Sequence, residues 1–129
     1  MFTMNQLICH LIGDYIIQND WMAINKTKNI GVALIHAITY SLPFLFLGPS
    51  ISALFVVVGT HAFIDRFRLA RYIIWFRNKF APNSSWSDWP ECSFTGFPAD
   101  RPVWLTTWLL IITDNIIHII INGLALKYL

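Results

Sequence analysis

Charge is scarce in this chain: Asp, Glu, Lys and Arg make up 12% of its 129 residues, about half of what a soluble domain carries. Hydrophobic residues make up 56%, aromatics 16%, and the mean hydropathy is +0.55. That composition excludes an ordinary water-soluble domain and makes a bilayer the expected solvent. The formal charge of +2 is too small for a nucleic-acid binder, and the basic residues flank hydrophobic runs instead of forming a polar module. Cysteine is nearly missing, since Cys9 and Cys92 form neither a C-x-x-C pair nor a disulfide framework. Both are expected to be free thiols.

Other absences narrow the chemistry. There is no G-x-x-x-x-G-K-[ST], G-x-S-x-G or H-E-x-x-H motif. A serine or cysteine nucleophile has no support, because the Ser84-Ser85 pair has no histidine near it in sequence and Cys9 faces away from His10 on a helix. The N-terminus has no basic n-region and no small-residue cleavage site, so its apolar run is expected to stay as a first membrane helix. No G-x-x-x-G dimerisation signal, internal repeat or low-complexity tract occurs.

What the chain does have is four apolar segments near the roughly 20 residues that a bilayer core of about 30 Å requires. They run over Phe2 to Gln18, Ile30 to Leu47, Ile51 to Phe76 and Val103 to Leu126. The expected fold is all-α: a polytopic four-transmembrane-helix bundle forming one domain over residues 1–129. Gly48-Pro49-Ser50 is a tight turn that makes the second and third helices antiparallel, with Ser50 able to cap the third. Residues Arg66 to Phe80 mix five basic side chains with aromatics and should leave the membrane as an interfacial amphipathic extension of helix three. The following loop to Pro102 holds Trp86, Trp89, Phe94 and Phe97 and should fold back on the membrane face.

Positive charge orients the bundle. Lys26 and Lys28 follow helix one, five Lys and Arg follow helix three together with Arg101, and only Lys127 lies on the other side. By the positive-inside rule, the basic loops are expected to be cytoplasmic and both termini outside.

Inside these segments lie all four histidines and three of the six aspartates. Helix one places Gln6, His10, Asp14 and Gln18 four residues apart, which on a helix is one polar stripe. Helix three repeats His61 and Asp65; helix four inverts the order as Asp114 and His118. Because helix four runs the opposite way, the inversion predicts a layer of His10, His61 and His118 one turn outward of a layer of Asp14, Asp65 and Asp114. Ionised side chains at that depth cost at least about 2.5 to 3.5 kcal/mol when unpaired. Imidazoles and carboxylates converging without basic partners suit a divalent transition metal, Zn or Mn, held by His10, Asp14, His61, Asp65, Asp114 and His118. His36, alone on helix two, divides evenly between an acid–base or ligand role and a packing one. Gln6 and Gln18 would support the ligands as donors. Arg66, Arg68 and Arg71 fit the positive-inside bias, and alternatively a phosphate from a lipid head group or nucleotide.

The strings HLIGDYIIQNDWMAINK at residues 10–26 and THAFIDRFRLARYIIWFRNK at residues 60–79 resemble the family catalogued as domain of unknown function 3307, small membrane proteins of bacteria and phages. The matching elements are His10, Gly13, Asp14 and Gln18, then His61, Ile64, Asp65 and Arg68. The resemblance implies the layout and brings no established activity. A fainter similarity is to membrane-embedded metal-dependent hydrolases, whose paired-histidine strings this chain lacks.

Three functions are compatible with this reading. The leading one is a metal-dependent hydrolase of a phosphate-bearing substrate, with Asp14, Asp65 or Asp114 as base, His36 as a further acid–base group, and arginines holding the anion. The same residues could carry protons or metal ions across the bundle, which would call for a homo-oligomer. The third is a non-catalytic phage or host envelope protein whose polar core only fixes helix packing.

Overall fold

The structure, a computed structural model, describes residues 3–82 and 87–129; Phe2, Trp86 and the Ser84-Ser85 pair lie outside them. Every regular element among the described residues is helical. The chain forms two compact units, one of Met1–Phe67 with His118–Leu129, the other of Arg68–Ile117.

In the first unit, α1 (Met4–Leu11) is capped by the Thr3 hydroxyl, which accepts from the Gln6 amide at 3.2 Å. The continuous first helix expected from sequence instead changes to a π-helical turn over Ile12–Ile17. Its second residue is Gly13, where a Cβ would collide with the Tyr40 ring and lie 2.8 Å from the Tyr40 carbonyl. Glycine lets the two backbones touch, and the wider turn supplies the fit. A short α2 (Asp20–Asn25), capped by Asn19, crosses what the sequence suggested was loop.

α3 (Ile30–Ser41) starts at Asn29, whose side chain accepts from the Gly31 and Val32 amides. Pro43 has no N–H to continue the ladder, so the helix tightens to a 3-10 run over Leu42–Leu47 and stops at Gly48, with φ 63. Ser50 then caps α4 (Ile51–Phe67) through its Oγ, which accepts from the Ala53 amide at 3.0 Å. α3 and α4 pack more extensively than any other pair, as the three-residue turn demands. Their seam is small and apolar, with Ala33, Ala37 and Ala62 buried together.

The second unit starts where the third apolar segment breaks. Arg68 adopts the left-handed conformation, φ 53 and ψ 53, ending α4 and starting α5 (Leu69–Asn78). α5 is amphipathic and buries Ala70 and Ile74. α6 (Trp89–Cys92) packs onto α5: Trp89 stacks on Tyr72 at 4.5 Å, and the Trp75 indole donates to the Ser87 carbonyl at 3.1 Å. Both cysteines are free.

α7 (Val103–Tyr128) belongs to both units by sequence and is unbroken for 26 residues. Among the described residues, two helical runs are long and apolar enough to cross a membrane: Ile30–Leu47 and Val103–Tyr128, each with mean hydropathy 1.9. At about 1.5 Å per α residue and 2.0 Å per 3-10 residue the first spans about 30 Å, one hydrocarbon thickness. The other two of the four expected crossings are interrupted, one by the π turn and one at Arg68.

Candidate metal centre

The first unit is built around polar side chains. His10, His36 and His61 have no accessible surface, and His118, Asn122, Gln6 and Asp65 are nearly as enclosed. Each helix contributes residues four apart, so one turn of the helix directs both into the same interior. α1 and its π turn give His10 and Asp14, α3 gives His36 and Tyr40, α4 gives His61 and Asp65, and the end of α7 gives His118 and Asn122.

At the centre, the Nε2 atoms of His36 and His61 are 3.0 Å apart. Asp14 Oδ1 lies 3.3 Å from the first and 3.4 Å from the second; Asp65 Oδ2 lies 3.3 Å and 3.1 Å from them. Asp14 Oδ1 has no hydrogen-bond donor aligned with it among the described residues, whereas Asp65 Oδ2 is met by the Lys26 ammonium at 2.9 Å. Two nitrogens and two oxygens thus face one another at the centre. For comparison, ligand atoms around a tetrahedral ion with bonds of about 2.0 to 2.1 Å are about 3.3 to 3.4 Å apart. Asp14, His36 and His61 form one group able to hold a metal ion, and His61, Asp65 and His118 a second.

A second tier supports this centre. The Asn122 amide donates to the Tyr40 hydroxyl at 2.6 Å, and that hydroxyl shares a 2.8 Å hydrogen bond with His10 Nδ1. The Tyr40 ring lies flat on His61, centroids 3.7 Å apart. His10 Nδ1 is 3.5 Å from Asp14 Oδ2, so His10 approaches the carboxylate from the side away from His36 and His61. His118 packs on His61, centroids 4.2 Å apart, with Nε2 3.6 Å from Asp65 Oδ1.

The predicted two layers are one interlocked cluster. His61 reaches Asp65 on its own helix, where side chains four residues apart are only about 5 to 6 Å apart at Cβ, and Asp14 on another. His36, left undecided by the sequence, is at the middle of it. His10 falls in neither of the groups spaced for a metal ion. Asp114 belongs to the other unit. The amides expected to support the ligands go to main-chain carbonyls, Gln6 to Ile119 at 2.7 Å and Gln18 to Asp14 at 3.3 Å.

The arginines expected to hold an anion are engaged in tying down loops. Arg66 donates to the Thr27 carbonyl at 2.8 Å. In the second unit, Arg68 donates to Phe94 and Arg71 to Ser93, each at 2.7 Å, and their guanidiniums lie over the Phe94 ring and over the Tyr72 and Trp89 rings. The basic side chain that does reach the centre is Lys26, 2.9 Å from Asp65 Oδ2 and 3.3 Å from His36 Nε2. Sequence reasoning counted Lys26 only toward membrane orientation and gave Tyr40 no role. Tyr40 had a signal, its spacing of four from His36; Lys26 had none beyond lying a short loop away.

No curated protein and no solved structure matches the chain. The family model that does match extends over residues 2–89, which include Asp14, Lys26, His36, Tyr40, His61 and Asp65. The chain belongs to the family described as protein of unknown function (DUF3307).

Proposed function

We propose that this is an integral membrane metalloprotein in which Asp14, His36, His61 and Asp65 hold one divalent transition ion, Zn or Mn, and that the centre hydrolyses a phosphate-bearing lipid. The observation that carries the metal is the set of four distances between 3.1 and 3.4 Å joining two Nε2 atoms to two carboxylate oxygens, with the two nitrogens 3.0 Å apart. Neutral imidazole and carboxylate are the donor set that Zn and Mn accept. The bilayer is supported by an inverted distribution of side chains. Histidines are interior while Phe46 is 92% exposed and Ile16, Ile51, Phe55 and Val103 are all largely exposed. In water that surface would aggregate; in lipid it is solvated, and the ionisable groups are screened by neighbouring helices. The basic loops would face the cytoplasm.

A bound divalent ion supplies a Lewis acid that makes water a nucleophile near neutral pH and polarises a phosphoryl oxygen. The chain's own part is to position and to move a proton. Asp14 is the carboxylate on the accessible edge, its side chain 12% exposed, so its Oδ2 is placed to take a proton from water, while Tyr40 and Asn122 hold His10 in orientation beside it.

The test is elemental analysis of the purified protein, paired with phosphate release from phosphatidate vesicles and from a soluble aryl phosphate. Bound metal near one per chain, lost in His36→Ala and His61→Ala together with release from vesicles, is the expected result. Unchanged turnover in a folded His61→Ala protein removes the hydrolase, and release from the soluble ester alone removes the lipid.

A second reading is favoured by one observation, that the two metal-compatible groups share His61. Adjacent stations with a common ligand are what an ion pathway uses, and metal or proton flux into proteoliposomes without a hydrolytic product would decide for it.

A further inference from the structure

We propose that Lys26 is a tethered cation that competes with the metal: its ammonium neutralises Asp65 before loading and swings away when an ion binds. The proposal rests on the metal reading above. Lys26 Nζ is 2.9 Å from Asp65 Oδ2 and 3.3 Å from His36 Nε2, and these same two atoms lie 3.3 Å from each other and 3.1 and 3.0 Å from His61 Nε2. Four atoms therefore share one small space, three of them ligands. An ion at about 2.1 Å from each ligand atom would sit within about 5 Å of the ammonium. Like charges that close, away from bulk water, repel strongly. The two cations are alternatives.

The chain is arranged for such an exchange. Lys26 lies at the C-terminal end of α2, and the turn after it is fixed at both sides: the Lys28 and Asn29 amides donate to the Asn25 carbonyl at 2.9 Å, and Arg66 holds the Thr27 carbonyl. The turn delivers the ammonium to Asp65 without having to move itself. The side chain is free to do so, being a flexible four-carbon stem with 16% of its surface exposed, which leaves an exit at the edge of the cluster. An unpaired Asp65 at this depth would be costly, so a lysine that stands in for the ion keeps the unloaded protein folded.

Calorimetric titration of the detergent-purified chain with Zn2+ and Mn2+ tests this, using the parent, Lys26→Met, Lys26→Arg and His61→Ala. Removing the competing charge should tighten metal binding in Lys26→Met by about tenfold or more. Lys26→Arg should bind like the parent, and His61→Ala should lose binding, which places the measured ion at this centre. In parallel, acetylation of Lys26 in the parent, read by mass spectrometry, should be faster with metal than without. Equal or weaker binding by Lys26→Met overturns the competition and leaves the metal centre standing. Absence of binding in both the parent and Lys26→Met overturns both. Should Lys26→Met fail to fold, labelling of the parent decides alone, and a rate that metal does not change overturns the proposal.

Discussion

Tyr40 shows how a single residue organises the cluster. Its hydroxyl takes a hydrogen bond from Asn122 and shares one with His10, while its ring supports His61 from beneath. Tyr40→Phe keeps the ring and removes the hydroxyl, so a buried amide loses its acceptor. The expected cost is about 1 to 3 kcal/mol, read as a lower midpoint of thermal unfolding in micelles. Because the cost is that of a stranded polar group, the double variant Tyr40→Phe with Asn122→Leu should be less destabilised than the sum of the two single changes. Asp65→Asn keeps shape and loses charge; it should abolish metal binding while the protein still folds, and retained binding would remove Asp65 from the ligand set. At this scale the sequence was most informative, since spacing alone nominated His10, Asp14, His61, Asp65, Asp114 and His118. It could not rank them, because which imidazole faces which carboxylate depends on rotation of each helix about its own axis.

Among the elements, the π turn over Ile12–Ile17 is the one that spacing could not reveal. A stripe at every fourth residue looks the same whether or not one turn is widened. Gly13 is the point at which the turn meets α3, and Gly13→Ala puts a methyl group into the Tyr40 ring and carbonyl. About 1 to 3 kcal/mol of destabilisation is expected from overpacking there. Gly59→Ala is the control, because a Cβ at Gly59 meets nothing within 4 Å. As an interior helix position, it should gain up to about 1 kcal/mol. Equal melting shifts for the two would show that the contact at Gly13 does not matter. In the other unit, Cys92 is buried within α6, and burial followed by the adjacent Glu91 pushes its thiol pKa above the usual value. A raised pKa means less thiolate at any pH below it, so alkylation at pH 8 should be slower than for the unfolded chain, and the difference should vanish in denaturant. Pro43 stands in the sequence inside the second apolar run, and its effect there is a 3-10 continuation instead of a stop.

At the scale of the whole molecule, the four histidines and Asp65 are buried while many large apolar side chains are exposed. Phe55, in the first unit, is 74% exposed on α4. On a water-facing surface Phe55→Arg would be harmless. In a bilayer it should cost about 2.5 to 3.5 kcal/mol near the helix centre, read as reduced membrane insertion of the expressed protein. The parent chain should stay in the membrane pellet through alkaline carbonate washing and leave it only with detergent.

Composition determined by itself that the chain is strongly apolar and poor in charge. Spacing determined that His and Asp share helix faces. Only the tertiary structure decided that His36 stands between Asp14 and Asp65, that a lysine from a short connecting turn reaches the same carboxylate, and that the arginines are engaged by loop carbonyls. The reason is physical: periodicity fixes which residues point the same way along one helix, while contact between helices depends on crossing angle, axial rotation and the path of the connecting turns. Local sequence does not encode these separately from the packing that settles them.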